Sequence, residues 1–134
     1  MKEFEINHLE ELKNEITKYQ IEKQDICIVG SAVLAALNIR PNKDLDIIIL
    51  HNKRDLIKKT EKNFSISTNV ECVTKNWMRK TDKLISDDEI ILNPKNHFYK
   101  NGFKFCNLEL LKVRKKFSTR EKDIKDLKEI NDRS

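Results

Sequence analysis

Ile26-Cys27-Ile28-Val29-Gly30-Ser31, then the twelve residues Ala32 to Lys43, then Asp44-Leu45-Asp46-Ile47-Ile48-Ile49-Leu50: this stretch decides the reading of the chain. The apolar tetrapeptide before Gly30 predicts a short buried strand. Ser31 to Asn38 predicts a helix with Ser31 at its start, a position where a hydroxyl satisfies an orphan backbone N–H. Pro41 prevents that helix from continuing. Asp44 to Leu50 predicts a second strand, polar where it begins and wholly apolar from Ile47 onward, as for a central strand covered on both faces. Side chains alternate along a strand, so Asp44 and Asp46 face the same way, about 6–7 Å apart along the backbone. The chain has only two glycines, and one of them, Gly30, falls at the strand-to-helix turn, where the absence of a Cβ permits close approach of another group. A pair of hard oxygen ligands beside a turn rich in backbone N–H groups is what a magnesium–nucleotide site requires.

The surrounding sequence sets the frame. At 134 residues the chain fits one domain, spanning 1–134. The charged fraction is 37%, above the roughly 25% of an average domain, and the excess is spread over 27 basic and 22 acidic residues. The resulting net charge of +5 suits a polyanionic partner, although a well-solvated surface accounts for most of the lysines. Cys27, Cys72 and Cys106 are odd in number and lack metal-ligand spacing, so each is read as a small buried hydrophobe in a strand rather than as part of a disulfide framework or zinc site. The first nineteen residues lack the apolar centre of a secretory signal, and no apolar run approaches the ~20 residues of a membrane span. A reducing cytoplasm and no membrane association are therefore expected.

Periodicity fills in the remaining elements. Ile6, Leu9, Leu12, Ile16 and Tyr19 form a helical stripe, predicting a helix over Ile6 to Ile21. Asn52 to Lys62 reads as a helix and Ser65 to Thr74 as a strand, with Glu71 projecting from the face opposite Val70 and Cys72. In Lys75 to Pro94, Trp77 is an anchor to the core and Ile90 to Leu92 a short strand. His97 to Cys106 is a hairpin, because Asn101-Gly102 suits a turn needing positive φ at both positions. Asn107 to Phe117 and Thr119 to Asn131 complete the chain as two helices, with Ser118 and Glu121 spaced as a capping box. The expected fold is α/β (α+β): a mixed central β-sheet flanked by helices, with two helices at the C-terminus.

Val29-Gly30-Ser31 together with Asp44-Leu45-Asp46-Ile47 resembles the signature of the nucleotidyltransferase superfamily, whose fold is that of the DNA polymerase beta-like enzymes. There, a hydrophobic residue precedes Gly-Gly or Gly-Ser, an acid–hydrophobic–acid–hydrophobic run follows about a dozen residues later, and a third acid sits on a later strand. Glu71 within Val70-Glu71-Cys72-Val73 is the candidate for that third acid. Arg40-Pro41-Asn42-Lys43-Asp44-Leu45-Asp46 is similar to the Arg-x-Thr-x-Asp-h-Asp run of several branches, with Asn42 where threonine is common. Leu108-Glu109, Lys112 and Arg120-Glu121-Lys122-Asp123 with Asp126-Leu127 are similar to the ending of small-molecule and toxin-type members. The likeness spans roughly residues 25 to 127.

That resemblance implies transfer of a nucleoside monophosphate from a nucleoside triphosphate to a hydroxyl of a small-molecule acceptor, with Mg²⁺ or Mn²⁺. Asp44, Asp46 and Glu71 would be both the metal ligands and the catalytic acids, Glu71 also taking the acceptor proton. Gly30 and Ser31 would contact the β- and γ-phosphates, and Arg40 and Lys112 would neutralise triphosphate charge. Taken alone, Arg40 and Lys112 read as surface charges, and the run from Arg120 to Asp126 as salt bridging along an exposed helix. His8, His51 and His97 are scattered without ligand spacing. Two other roles share the motif: a toxin- or antitoxin-type nucleotidyltransferase that modifies RNA or a partner protein, and an inactive relative that only binds nucleotide. The lysine-rich tail would suit RNA, but it carries almost as many acids as bases, and no aromatic-plus-basic platform for single strands is evident. A chain this short leaves little room for an acceptor domain, so a homodimer or a partner protein is a further way to complete the pocket.

Overall fold

The structure is a computed structural model that describes residues 3–56, 64–73 and 75–133. Among the described residues five α-helices surround a mixed six-stranded sheet. The strands are β1 (Ile26–Val29), β2 (Leu45–Ile49), β3 (Phe64–Ser67), β4 (Val70–Cys72), β5 (His97–Lys100) and β6 (Phe103–Cys106). Their order across the sheet is β3-β4-β2-β1-β6-β5. The two halves of the decisive sequence stretch are the two central strands: β1 and β2 pair antiparallel, with Val29 opposite Asp46 and Ile26 opposite Ile49. β4 runs parallel to β2 and β6 parallel to β1. The C-terminal ends of β1 and β6 and the N-terminal ends of β2 and β4 therefore meet at one edge of the sheet.

All four residues of β1 are buried, as are all of β2 except Asp46. The core is this aliphatic band, joined by Leu12 and Ile16 of α1 (Leu9–Lys18), all of α2 (Ala32–Ala36), and Ile90 and Ile91 of α3 (Asp87–Leu92). Leu110 and Leu111 of α4 (Leu108–Lys116) and Ile130 of α5 (Glu121–Arg133) close it. The three cysteines are free and buried in β1, β4 and β6, in keeping with their reading as small hydrophobes. No described helix is long and apolar enough to cross a membrane.

Several expected elements change. The first helix is shorter than Ile6 to Ile21 because His8 and Gln20 adopt left-handed backbone (φ 74° and 59°), which no helix interior tolerates. Residues 51–56 form a 3-10 helix, and the rest of the helix expected to Lys62 lies outside the described residues. The strand expected over Ser65 to Thr74 is two antiparallel strands, β3 and β4, with Thr74 outside the described residues. Their turn is held by α1: Glu11 accepts from the Asn69 backbone N–H (3.0 Å), the Asn69 side-chain amide (3.0 Å) and the Ser67 hydroxyl. Those bonds, the side-chain amide of Asn69 foremost, hold the Glu11 carboxyl down at about 2. Ile90 to Leu92 is helical rather than extended. Ser86 caps α3 by accepting from the Glu89 N–H (3.1 Å), and Asp87, Asp88 and Glu89 place negative charge in its first turn. The His97–Cys106 hairpin forms as expected, with Asn101 and Gly102 both at positive φ. Ser118 and Glu121 do not form the expected box; the Ser118 hydroxyl accepts from the Arg120 N–H (3.1 Å), one residue early.

Candidate active site

The edge where β1, β2 and β4 meet opens into a cavity of about 560 Å³. Its acidic wall is Asp44, Asp46 and Glu71, with Gly30 and Ser31 at one end. Asp46 and Glu71 are register partners on parallel strands, so their side chains rise from the same face of the sheet. Asp44 stands just before β2 and is exposed. Its backbone is fixed by a buried amide that sequence reading left without a role: Asn42 donates to the Asp44 carbonyl (3.1 Å) and exchanges three further hydrogen bonds with Asn7. The four bonds of Asn42 tie the N-terminal segment to the start of the acidic strand.

Gly30 has φ +75°, and a Cβ placed on it would lie 2.9 Å from the Asp46 carboxylate. Only glycine lets the turn pass this close to the acid. The Gly30 N–H itself is directed at the Cys106 thiol, whose pKa burial raises and that contact lowers. The Ser31 hydroxyl accepts from Arg40 Nη2 (3.1 Å), which leaves its own proton free to be donated.

Electrostatics single out Asp46. Burial first, then the charges of Asp44 and Glu71, push its carboxyl up to about 6, against the opposing pull of Lys122 and Arg120. Mutual repulsion among three carboxylates is what a hard dication relieves. Among the described residues no group of three His, Cys, Asp or Glu side chains is placed so that it could hold a metal ion. Asp44, Asp46 and Glu71 supply hard oxygen donors to one cavity without forming a ready-made three-ligand site.

Basic side chains line the same cavity. Arg114 comes from α4, Arg120 from the residue before α5, Lys122 from its first turn, and Arg79 and Lys80 from the segment after β4. Arg114 and Lys115 lie three and four residues after Leu111, and Ser118 lies four and three after them, the stripe that α4 and its end turn towards the cavity. Lys112 is off that stripe. It does not line the cavity and pairs with Glu109 (3.9 Å), so the expected contact with triphosphate has no geometric support.

Arg40 also differs from expectation. Its guanidinium forms a bidentate pair with Asp126 of α5 (Nε–Oδ1 2.7 Å, Nη2–Oδ2 2.8 Å) and donates to the Pro41 carbonyl and the Ser31 hydroxyl. Asp126 in turn accepts from buried Lys115 (2.8 Å), which also donates to Asp123 (2.8 Å). Burial would raise the Asp123 and Asp126 carboxyls, but hydrogen bonds from Lys115, Arg40, Ser118 and Arg120 outweigh it and hold both below the usual range. Arg40 is thus a clamp between α5 and the Gly-Ser turn rather than a cavity-lining charge. The acid partners in the tail were legible as a motif; their use as a buried network depends on the packing of α4 against α5.

The segment carrying Arg79 is pinned from behind. Asp87 accepts from the Trp77 N–H (2.8 Å) and pairs with buried Arg54. Trp77 is 6% exposed, the core anchor expected of it. His51 is exposed and His97 donates from Nδ1 to the Ile90 carbonyl of α3 (2.8 Å); neither lines the cavity. Comparison with protein-family models, curated proteins and solved structures gives no match for this chain.

Proposed function

We propose that this protein is a metal-dependent nucleotidyltransferase of the polymerase beta-like kind, moving a nucleoside monophosphate from a nucleoside triphosphate to a hydroxyl of a small acceptor. The observation that carries the reading is the Asp46–Glu71 register pair beside the Gly30-Ser31 turn, in a cavity also lined by basic side chains. In the reaction the acceptor oxygen bonds to the α-phosphorus, the bond from that phosphorus to the bridging oxygen breaks, and pyrophosphate leaves. Bound between the acids, a divalent ion would supply charge neutralisation for both the attacking and the leaving oxygen. The protein's own part is positioning and electrostatics. Glu71 accepts the hydroxyl proton, Ser31 donates to a terminal phosphate oxygen, and Arg120 and Lys122 offset triphosphate charge. Cytoplasmic location and a homodimer or protein partner that completes the pocket belong to the same reading.

The test is a thermal-shift panel of ATP, GTP, CTP and UTP, with and without Mg²⁺ or Mn²⁺, on wild type and Asp46→Asn. At about 100-fold saturation a ligand stabilises the native state by about 2.7 kcal/mol, a visible shift. A metal-dependent shift lost in the variant supports the reading and names the donor. Binding in wild type with no transfer to any acceptor hydroxyl would favour an inactive nucleotide-binding relative. No shift with any triphosphate would overturn it.

A further inference from the structure

Three residues of the N-terminal segment reach the starts of both acidic strands. Asn7 exchanges three hydrogen bonds with Asn42, two residues before Asp44. His8 Nε2 donates to the carbonyl of Lys43 (2.8 Å), the residue next to Asp44. Glu11 accepts from the backbone and side-chain N–H groups of Asn69 (3.0 Å each) and from the Ser67 hydroxyl. Asn69 stands two residues before Glu71. His8 Nδ1 lies 3.6 Å from Glu11 Oε1, so the two anchors also meet each other. The Leu45 N–H donates to the Asn69 carbonyl (2.9 Å) and closes the ring between β2 and β4.

The start of α1 gives up its own cap to make these contacts. A cap is ordinarily Ser, Thr, Asp or Asn, whose short side chain accepts from the first helical N–H groups. His8 stands there instead, makes no side-chain cap and has left-handed backbone (φ 74°). That conformation is costly for a residue with a Cβ, and it persists only where the surroundings over-determine it. Here it accompanies the ring's contacts with the Lys43 carbonyl and Glu11. β4 needs such support, being three residues long and irregularly paired with β3 between Ser65 and Ser67. Asn7, His8, Glu11, Asn42 and Asn69 do not line the cavity, so whatever they do for the site is done through the backbone that carries the acids. We infer that residues 7–11 are a strap, with His8 and Glu11 as positioning residues, that fixes where Asp44 and Asp46 stand relative to Glu71. Its consequence for ligand binding rests on the function proposed above; the strap itself rests on the hydrogen bonds.

Hydrogen exchange and Mn²⁺–ATP binding, both measured on the full chain, test this, with the bound Mn²⁺ followed by electron paramagnetic resonance. His8→Gly accommodates the left-handed backbone while removing the ring, so its melting temperature should stay near that of wild type. Exchange at the Leu45 and Asn69 amides should nevertheless quicken by about tenfold. Affinity for Mn²⁺–ATP should fall by about tenfold, the scale for groups that orient metal-binding carboxylates from outside. Glu11→Ala should do the same, and Glu11→Gln, which keeps a carbonyl to accept from the Asn69 N–H, should lose less. Ser86→Ala removes the cap of α3, away from the cavity, and should lower the melting temperature without moving either readout. Exchange at Leu45 and Asn69 that matches wild type in His8→Gly and Glu11→Ala would overturn the inference, whether or not nucleotide binds. So would quickened exchange with unchanged Mn²⁺–ATP affinity, or equal effects from Ser86→Ala. Quickened exchange in a protein whose wild type binds no Mn²⁺–ATP would keep the strap and remove the transferase reading.

Discussion

The α-carbon of Gly30 sits against the Asp46 carboxylate so closely that a Cβ there would stand 2.9 Å from Oδ2. Gly30→Ala therefore carries two costs: left-handed backbone, about 1–2 kcal/mol, and displacement of the acid. Gly102→Ala is the control, since Gly102 is also at positive φ (+81°) but its Cβ would meet only the mobile end of Lys23, at 3.3 Å. Urea denaturation should show the Gly30 variant less stable than the Gly102 variant by about 1 kcal/mol or more. Metal-dependent triphosphate binding should be lost in the first and kept in the second. Equal stabilities would mean that Asp46 yields without strain and that the close approach has no role.

Asp46 and the pair Asp123 and Asp126 give opposite pH dependences. The folded state holds the Asp46 proton more tightly than the unfolded chain, with a carboxyl moved from 3.8 to about 6. Stability is therefore lost as pH rises through about 4 to 6, by roughly 2–3 kcal/mol once the group is ionised. Asp46→Asn should be more stable than wild type by up to that amount at about pH 8, and the gain should vanish near pH 4. Added Mg²⁺ should stabilise wild type and leave the variant unmoved. Asp123 and Asp126 are held below the usual range, so their contribution is present above about pH 4 and fades as pH falls further. A variant whose advantage grew on acidification would contradict the assignment of Asp46.

Removing the Arg40 clamp tests the C-terminal network. Asp126 is 4% exposed and joins Arg40 to Lys115. Asp126→Asn leaves both cations short of a partner, and should cost about 3 kcal/mol, as when one member of a buried ion pair is removed. Arg40→Lys should recover little of the stability lost in Arg40→Ala, because the contact to Asp126 is bidentate. Hydrogen exchange checks the mechanism. Protection should fall first in α5 and around Ser31, the two places Arg40 connects, and uniform loss would make the clamp merely one of many contacts.

What could be read from sequence and what could not divide along a physical line. β1, the Gly30 turn and β2 were legible because local pattern and burial agree: a four-residue apolar strand, one glycine, and an apolar run opened by two acids. Glu71 was legible as a face, since alternation with Val70 and Cys72 fixes it; its partnership with Asp46 required the parallel register. The roles of Arg40 and Lys112 misled because charge type says nothing of rotation about a helix or of a competing partner. Lys112 is one position off the stripe that Leu111 and Lys115 share, and Asp126, 86 residues away, claims Arg40. Arg79 and Arg114 carried no local signal at all. Both line the cavity, from elements far apart in the chain. The helix at 87–92 was the avoidable miss, since Ser86-x-x-Glu89 has the spacing of an N-terminal cap.

Asp87 supplies the last test, of the support behind Arg79. Its carboxyl is buried, which pushes it up to about 6 despite the Trp77 N–H and the Arg54 guanidinium beside it. Asp87→Ala would remove the acceptor of the Trp77 N–H and leave Arg54, itself 8% exposed, without this carboxylate. The expected cost is about 3–4 kcal/mol. Replacing both charges, Arg54→Met with Asp87→Leu, should be less damaging than Asp87→Ala alone, because no uncompensated charge is then buried. Trp77 is the one tryptophan of the chain, so its fluorescence reports directly on the segment. Emission should shift to longer wavelength in Asp87→Ala and remain near wild type in the double variant. Unchanged emission in a destabilised Asp87→Ala would show that Trp77 is held by its packing alone, and that Asp87 serves Arg54 rather than the site.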